Sequence, residues 1–494
     1  MLSKIYICSV MHQRNFFRII LIILLLGFSS CSRNPVTGKW EFIIISETRE
    51  KEIGQEHDRL MVNMFGLYES AELQEFLNLK AAEMGKISHR PHLDYQIRIL
   101  DSPIINAFAV PGGYIYFTRG LLAHLNSEAE LIGVLGHEMG HITARHSVAR
   151  QSKSQLARLL LLGGSLVSEE FAQFANLASM GLELVFLQYS RSDEREADRL
   201  GVEYSARIGY DASKFADFFQ LLVQMQLESQ TAGIPTFLST HPDPGNRYES
   251  VNMQAAEWKQ TLGSDTWKTN RENYLRMIDG LVFGDNPQQG YVANQVFYHP
   301  AGRFSFALPR NWQMEPTPGQ WRFVSTSGQK VMLFRALQGT SLQNAAVSDF
   351  YQMGLNVVEM ESTTVSGMPA LRYLSEPASG EQGAGDPLVV RSVVIDFGDN
   401  FYVFHGISLQ SLFNEAEPIF EYTINSFDHL TDPAIINVRP QRIRIRRVLQ
   451  TTSMHQALQR LGVAEDQVRQ NALINNILPE ETIEAGSLIK VIVK

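Results

Sequence analysis

Residues 131–142 read Leu-Ile-Gly-Val-Leu-Gly-His-Glu-Met-Gly-His-Ile, and this stretch decides how the chain is interpreted. A helix has about 3.6 residues per turn, so His137 and His141 lie on one face and can bind a single Zn²⁺. Glu138 is then placed to act as a general base toward water and as a proton donor to the leaving amine. Every other residue of the stretch is apolar or glycine, which predicts a buried helix whose ionisable side chains need a partner such as a metal ion.

The residues around this HExxH motif also favour a packed helix. Ser127 and Glu130 have the spacing of a capping box, which predicts that the helix begins just before the motif. Gly133, Gly136 and Gly140 are poor helix formers, so their presence indicates close packing against a neighbouring element. The alternative that requires no metal is a core helix whose histidines are hydrogen-bonded within the fold.

A catalytic zinc site needs a third protein ligand, and residues 189–198, Tyr-Ser-Arg-Ser-Asp-Glu-Arg-Glu-Ala-Asp, hold the best candidates. On a helix, Glu194 and Asp198 share a face of small and acidic residues, whereas Glu196 belongs to a charged stripe suited to water. We therefore predict Glu194 as the third ligand. Asp198 is predicted to accept a hydrogen bond from a ligating histidine and to select its tautomer. An ordinary solvated helix face is the alternative.

The chain resembles the zinc metallopeptidase family that includes HtpX, the CAAX prenyl proteases and BepA. The resemblance runs over roughly residues 34–282 through Asn-Pro-Val-Thr-Gly at 34–38, Asn-Ala-Phe-Ala-Val-Pro-Gly-Gly at 106–113, the helix with the HExxH motif, and Glu194-x-x-Ala197-Asp198. It implies one Zn²⁺ per chain, with His137, His141 and Glu194 as ligands. It also implies that Glu138 is the catalytic base.

Two further segments take their expected roles from the resemblance. Asn106, Ala107, Phe108 and Ala109 match an edge strand that pairs with an extended peptide substrate, although any sheet edge has the same pattern. Ser-Thr-His-Pro-x-Pro-x-x-Arg at 239–247 matches a loop near the metal. There His241 is expected as a removable fourth ligand of a latent state, and Arg247 as a catalytic-site residue eligible to bind the oxyanion. A surface His-Pro turn is the alternative for this loop.

The N-terminus predicts export. Lys4, Arg14 and Arg18 flank an apolar run at 19–28, which is followed by Ser-Ser-Cys at 29–31. This is the pattern of a signal peptide over residues 1–30, too short to span a membrane. It resembles a bacterial lipobox, so Cys31 is expected to be the lipidated N-terminus, and Ser32 favours the outer over the inner membrane. An uncleaved short anchor is the alternative.

The expected fold class is α+β with several domains. We predict an α-rich, zincin-like metallopeptidase domain with a small sheet at 31–283, an α+β accessory domain at 291–430 and a small βααβ module at 434–494, because breaker-rich residues separate them. Met-His-Gln-Ala-Leu-Gln-Arg-Leu at 454–461, Leu-Ile-Asn-Asn at 473–476 and Ile-Glu-Ala-Gly-Ser-Leu-Ile-Lys-Val at 483–491 make this last module resemble LysM. The accessory domain resembles PsbP-like domains in outline. LysM modules often bind peptidoglycan, so glycan contact and a structural cap are both open for the last module. Its basic cluster of Arg439, Arg442, Arg444, Arg446 and Arg447 could meet lipid, the cell wall or its own chain.

The net charge and the length of the apolar run at 159–167 argue against two functions. The 494 residues include 43 basic and 52 acidic side chains, a net charge of −9, so nucleic acid is not an expected partner. The apolar run at 159–167 has nine residues, too few to span a membrane, so processing of prenylated proteins is not expected.

The prediction is a periplasm-facing, lipid-anchored zinc metalloendopeptidase that acts on misfolded envelope proteins. A noncatalytic envelope assembly or cell-wall-binding factor with a structural zinc is the alternative.

Overall fold

The computed structural model describes residues 31–162, 188–228, 236–242, 246–317, 319–377 and 386–494. The signal peptide predicted at 1–30 lies outside these residues, as does most of the apolar run at 159–167. Within the described ranges, no helix combines the length and the apolar character needed to cross a bilayer.

The first part of the described chain is a helical domain built around a small sheet. Its helices are α1 (Glu47–Phe65), α2 (Ala71–Ile87), α3 (Arg119–His124), α4 (Glu128–Thr143), α5 (His146–Leu162), α6 (Arg191–Arg207), α7 (Lys214–Glu228), α8 (Thr236–Thr240), α9 (Arg247–Leu262) and α10 (Arg271–Met277). A hairpin of β1 (Cys31–Arg33) and β2 (Trp40–Phe42) precedes a sheet of β3 (Gln96–Leu100), β4 (Ala107–Val110) and β5 (Tyr114–Thr118). In this sheet β5 is central, parallel to β3 and antiparallel to β4, which lies at the edge.

Helix α4 carries the HExxH motif and is buried along its whole length. Ser127 is its N-cap, and the Ser127 hydroxyl accepts a hydrogen bond from the Glu130 N–H, as the capping-box spacing predicted. A Cβ on Gly133 would lie 2.5 Å from the Phe215 side chain. Glycine at this position therefore lets α7 approach α4 without a clash.

The second part of the described chain is an α+β domain with an aromatic core. Its strands are β6 (Tyr291–Ala293), β7 (Val296–His299), β8 (Phe304–Ala307), β9 (Trp312–Thr317), β10 (Gln320–Ser325), β11 (Lys330–Leu337), β12 (Leu355–Val365), β13 (Met368–Pro377), β14 (Leu388–Asp396), β15 (Phe401–Leu409) and β16 (Asp428–His429). They form a seven-stranded antiparallel sheet in the order β12-β13-β14-β15-β11-β10-β9 and a four-stranded sheet in the order β16-β8-β7-β6. Helices α11 (Leu342–Met353) and α12 (Phe413–Asn425) accompany these sheets.

The last part of the chain has the predicted βααβ order. After α13 (Pro433–Ile436) come β17 (Arg442–Arg447), β18 (Thr452–Ser453), α14 (Met454–Arg460), α15 (Glu465–Ile474), β19 (Thr482–Ile483) and β20 (Leu488–Val493). Strand β17 pairs with β20, and β18 pairs with β19. The likeness of this module to LysM stays a prediction.

This C-terminal module packs against the first domain. The Gly280 N–H donates to the Ile443 carbonyl, and the Ile443 N–H donates back to the Leu281 carbonyl. The Nζ atom of Lys490 is buried and donates to the carbonyls of Ala123 and Leu125, at 2.9 Å each. Two arginines of the basic cluster meet the same domain, because Arg442 donates to the Gly280 carbonyl and Arg444 forms an ion pair with Asp279. The sequence left lipid, the cell wall and the chain itself open as partners of this basic cluster. In the structure, Arg442 and Arg444 contact their own chain.

Candidate metal centre

Four buried side chains converge where the sequence predicted a metal. His137 and His141 come from α4, Glu194 comes from the first turn of α6, and His241 follows α8. One ligand atom from each residue lies within 4.8 Å of the others. The structure therefore brings together the three predicted ligands and the predicted fourth one.

The distances within this cluster suit a zinc ion. The Nε2 atoms of His137 and His141 lie 3.1 Å apart, and Glu194 oxygens lie 3.6 Å from His137 Nε2 and 3.5 Å from His141 Nε2. Ligand atoms at ~2.0–2.2 Å from a tetrahedral ion are separated by about 3.3–3.6 Å. Imidazole nitrogens and a carboxylate are also the ligand types that zinc accepts. The residues present therefore fit zinc in both chemistry and spacing.

Small residues explain why Glu194 reaches the two histidines. A Cβ on Gly136 would lie 3.0 Å from the Cα of Gly201, and one on Gly140 would lie 3.2 Å from the Cα of Ala197. These contacts run in opposite directions along α4 and α6, so the C-terminal end of α4 meets the N-terminal end of α6. A larger side chain at these positions would separate the helices and move Glu194 away from the metal position.

Asp198 and Arg247 support the cluster from one side. An Asp198 oxygen lies 2.9 Å from the Nδ1 atom of His137, which leaves His137 Nε2 directed at the metal position. The Arg247 guanidinium donates to both Asp198 oxygens and lies 3.3 Å from a Glu194 oxygen. Burial alone would raise the pKa of Asp198, but Arg247 and His137 hold that pKa below its ordinary value. The sequence made Arg247 eligible as an oxyanion-binding group, whereas the structure places its guanidinium on these carboxylates.

Glu138 is buried beside the cluster without being part of it. One of its carboxylate oxygens lies 3.6 Å from His241 Nε2, and neither oxygen has a hydrogen-bond partner within the described ranges. Burial raises the pKa of Glu138 above its ordinary value, although the nearby His241 and His137 oppose this shift. A carboxylate with free lone pairs and a raised pKa is suited to accept and return a proton.

His241 lies in the position expected of a fourth ligand. Its Nδ1 atom is 3.1 Å from a Glu194 oxygen and 3.3 Å from His137 Nε2. Its ring stacks on Phe237 at a centroid distance of 4.5 Å, and its N–H donates to the Phe237 carbonyl. Burial would lower the pKa of His241, but the carboxylates of Glu194 and Glu138 raise it above its ordinary value.

The predicted substrate strand is an edge strand, yet it is covered. Asn106, Ala107, Phe108 and Ala109 are each at most 4% exposed. Helix α8 lies against the start of this segment, because the Phe237 N–H donates to the Ile105 carbonyl and the Thr240 hydroxyl donates to the Asn106 side chain. The same short helix therefore delivers His241 to the cluster and covers the beginning of the edge strand.

Two residues near the metal position were missed by the sequence analysis. The Tyr189 ring stacks on His141 at a centroid distance of 3.8 Å, and the Tyr189 hydroxyl lies 2.8 Å from the Ser147 hydroxyl. His146 lies with its Nδ1 atom 2.9 Å from His141 Nδ1. Arg145 has a φ of 60°, a left-handed conformation that turns the chain between α4 and α5 and brings His146 back beside His141. The five-residue spacing of these histidines was the only available signal.

Comparison with known proteins agrees with this geometry. The model of peptidase family M48 matches residues 69–255, which contain all four cluster residues. Residues 69–255 of this chain are therefore similar to peptidase family M48. Proteins of this family use zinc, which agrees with the fit of the four-residue cluster to a zinc ion.

Proteins similar to this chain include bacterial and mitochondrial proteases. A putative beta-barrel assembly-enhancing protease of Vibrio cholerae is 35% identical over 162 residues, which cover 31% of this chain and 33% of the relative. The mitochondrial metalloendopeptidase OMA1 of Bos taurus is 29% identical over 273 residues, covering 49% of this chain and 50% of the relative. The chain thus spans a third to a half of the length of these relatives.

Structural comparison found a likeness to the solution structure of the cyanobacterial PsbP protein, CyanoP, of Synechocystis. That structure is 12% identical, and the match covers 28% of this chain and 91% of the other protein, with a TM-score of 0.23. This score is too low to show a shared fold.

Removing zinc is expected to destabilise the domain that contains the four-residue cluster. When the free metal concentration is about 1,000 times the dissociation constant, binding stabilises the folded state by about 4 kcal/mol. This corresponds to a melting temperature higher by roughly 10 °C. Calorimetry of zinc-loaded and chelator-treated protein measures this difference. Added Zn²⁺ should restore the higher melting temperature and Mg²⁺ should not. Equal melting temperatures with and without zinc would contradict the metal site.

Proposed function

We propose that this chain is an exported, lipid-anchored zinc metalloendopeptidase that hydrolyses peptide bonds in misfolded or stalled envelope proteins. One observation carries the proposal, namely the buried Glu138 carboxylate beside a cluster of three imidazoles and one further carboxylate. When bound there, zinc supplies Lewis-acid polarisation of the scissile carbonyl and makes water easier to deprotonate.

Glu138 performs the proton transfers in this proposal. Its carboxylate takes a proton from the attacking water as the new C–O bond forms at the scissile carbon. It then returns that proton to the peptide nitrogen as the C–N bond breaks. Asp198 and Arg247 hold His137 and Glu194 in place during both steps, because Asp198 contacts His137 and Arg247 contacts Glu194.

The structure's arrangement supports a latent state. A catalytic zinc site keeps one position open, whereas His241 adds a fourth protein donor here. Since α8 also covers the start of the edge strand at Ile105 and Asn106, displacing this helix would open both the metal position and the peptide-binding edge. An extended client could then pair with β4 through its backbone, with little dependence on sequence.

Replacing His241 with Ala is expected to raise peptidase activity severalfold while zinc is retained by His137, His141 and Glu194. The reason is that the substitution removes the competing donor and loosens α8. Cleavage of an unfolded protein such as casein, measured together with zinc content, tests this prediction. His455→Ala, on the C-terminal module and paired with Glu465, is the matched control and should change neither quantity. Unchanged or lower activity with full zinc content would exclude the latent-state role of His241.

The site of action follows from the N-terminus and from the relatives. The lipobox-like residues before Cys31 support an anchor on the periplasmic side of the outer membrane. The name beta-barrel assembly-enhancing protease, carried by relatives in Vibrio cholerae and Escherichia coli, supports envelope proteins as clients. Contact of the last module with peptidoglycan belongs to the same proposal, and co-sedimentation with purified cell-wall sacculi tests it.

A noncatalytic role has one observation in its favour. Four protein donors around one position are typical of a structural zinc site. In that case the chain would be an envelope assembly or cell-wall-binding factor, and the fourth donor would be permanent. The Glu138 substitution argued in the Discussion separates the two functions.

A further inference from the structure

A row of three side chains leads from the metal cluster to the surface of α6. His141 Nδ1 lies 2.9 Å from His146 Nδ1, and His146 Nε2 lies 3.3 Å from an oxygen of Glu196. The His146 side chain is 5% exposed and that of Glu196 is 21% exposed, so the row runs from the buried centre to the edge of solvent. None of these contacts takes part in the proton transfers assigned to Glu138.

The chemistry of the three groups sets the direction of their hydrogen bonds. A carboxylate only accepts hydrogen bonds, so the proton of a neutral His146 ring lies on Nε2 and points at Glu196. His146 Nδ1 is then an acceptor, and it accepts a hydrogen bond from the Nδ1–H group of His141. This leaves the lone pair of His141 on Nε2, the nitrogen that faces the metal position.

Glu196 lies between two partners at the surface of α6. Its carboxylate oxygens lie 3.3 Å from His146 Nε2 and 3.8 Å from a guanidinium nitrogen of Arg199. His137 has a shorter version of this support, because its Nδ1 contacts Asp198 directly. Helix α6 therefore provides a metal ligand in Glu194, the partner of His137 in Asp198 and the partner of His146 in Glu196.

We propose that His146 and Glu196 are positioning residues that hold His141 in the tautomer and ring orientation needed to bind the metal. This inference rests on the metal site of the proposed function but not on peptidase activity itself. Groups that support metal-ligating histidines in this way change metal affinity by about 10–100-fold when they are replaced.

The test is the zinc dissociation constant of the full-length mature protein, measured by competition with a chromogenic chelator. His146→Ala is expected to weaken zinc binding by about 10–100-fold, and Glu196→Gln by less, because an amide oxygen still accepts a hydrogen bond. His146→Asn should recover part of the loss, since its side-chain oxygen replaces the acceptor at Nδ1. Glu203→Gln is the matched control on α6, because Glu203 pairs with Arg199 and Arg207 and should leave zinc affinity unchanged.

Two further measurements separate positioning from simple packing. The double variant His146→Ala/Glu196→Gln should bind zinc no more weakly than His146→Ala alone, because both residues act through one row of hydrogen bonds. The metal-free melting temperature of Glu196→Gln should equal that of the unmodified protein. Zinc affinity within twofold of the unmodified protein for both single variants, or fully additive losses, would overturn the inference. If unmodified protein proves inactive as a peptidase, the proposed function fails, while these affinities still decide the inference.

Discussion

Replacing Glu138 with Gln is expected to reduce peptide-bond hydrolysis by about 10²–10⁴-fold, with zinc binding unchanged. Gln keeps the size of the side chain but cannot take a proton from water. Since Glu138 lies beside the metal cluster and is not one of its four members, zinc retention is part of the expectation. The measurement is cleavage of casein by purified mature protein, with zinc content determined on the same samples.

Glu203→Gln is a suitable control for this experiment, because it makes the same chemical change on α6 against Arg199 and Arg207. The most informative setting is the His241→Ala background, in which latency no longer limits the rate. Casein cleavage that survives Glu138→Gln would exclude the proposed mechanism. Full complementation of a deletion strain by Glu138→Gln protein would instead favour the noncatalytic envelope factor.

The metal cluster was predictable because its spacing is local. His137 and His141 are four residues apart on one helix, and helical geometry alone places them on the same face. Glu194 followed from the small residues Ala197 and Gly201 on its own face, and those residues do contact α4 at Gly140 and Gly136. In both cases, a periodic pattern within one element carried the information.

Glu196 has a contact that a periodic pattern within one helix could not predict. The sequence analysis assigned it to a charged stripe suited to water, and Glu196 does pair with Arg199 on that stripe, but its carboxylate also lies 3.3 Å from the buried His146. The contact depends on how α5 is oriented after α4. Arg145 sets that orientation through a left-handed backbone conformation, which the residue type arginine does not predict. The contact between α8 and the edge strand was also not predictable from a local pattern. The sequence indicated β4 but not the position of α8.

Lys490 was also missed, and for a related reason. It lies in the strand sequence Leu-Ile-Lys-Val-Ile-Val at 488–493, where a lysine normally faces solvent. Here the face opposite Ile489 and Val491 packs on the first domain, so Lys490 is buried. Burial holds the pKa of Lys490 well below its ordinary value. A lysine amine carries at least two N–H groups in either protonation state, which is enough for the carbonyls of Ala123 and Leu125.

This lysine makes the C-terminal module a structural part of the metal domain. Ala123 and Leu125 immediately precede Ser127, the N-cap of the helix that carries the HExxH motif. Arg271 of α10 donates to the Asn126 carbonyl in the same turn and also contacts the Leu488 carbonyl of β20. The module therefore supports the start of α4 through the two buried hydrogen bonds of Lys490, and Arg271 links the same turn to β20. A module that served only as a tethered glycan binder would not need them.

Replacing Lys490 with Met is accordingly expected to destabilise the folded chain by about 2–6 kcal/mol, because two buried carbonyl acceptors lose their donor at about 1–3 kcal/mol each. For a domain of this size the melting temperature should fall by roughly 10 °C, measured by calorimetry on the full chain. Lys51→Met removes an exposed lysine from α1 and should leave the melting temperature unchanged.

Deletion of residues 433–494 should have a larger effect than the Lys490 substitution, because it also exposes the core positions that Ile443, Ile474 and Ile492 cover. The shortened chain is expected to melt well below the full chain and to bind zinc more weakly, since the start of α4 loses its support. Added peptidoglycan should not restore either property. If the shortened chain melts with the full chain and keeps its zinc affinity, the module is only tethered, and the buried Lys490 contacts contribute nothing to the metal domain.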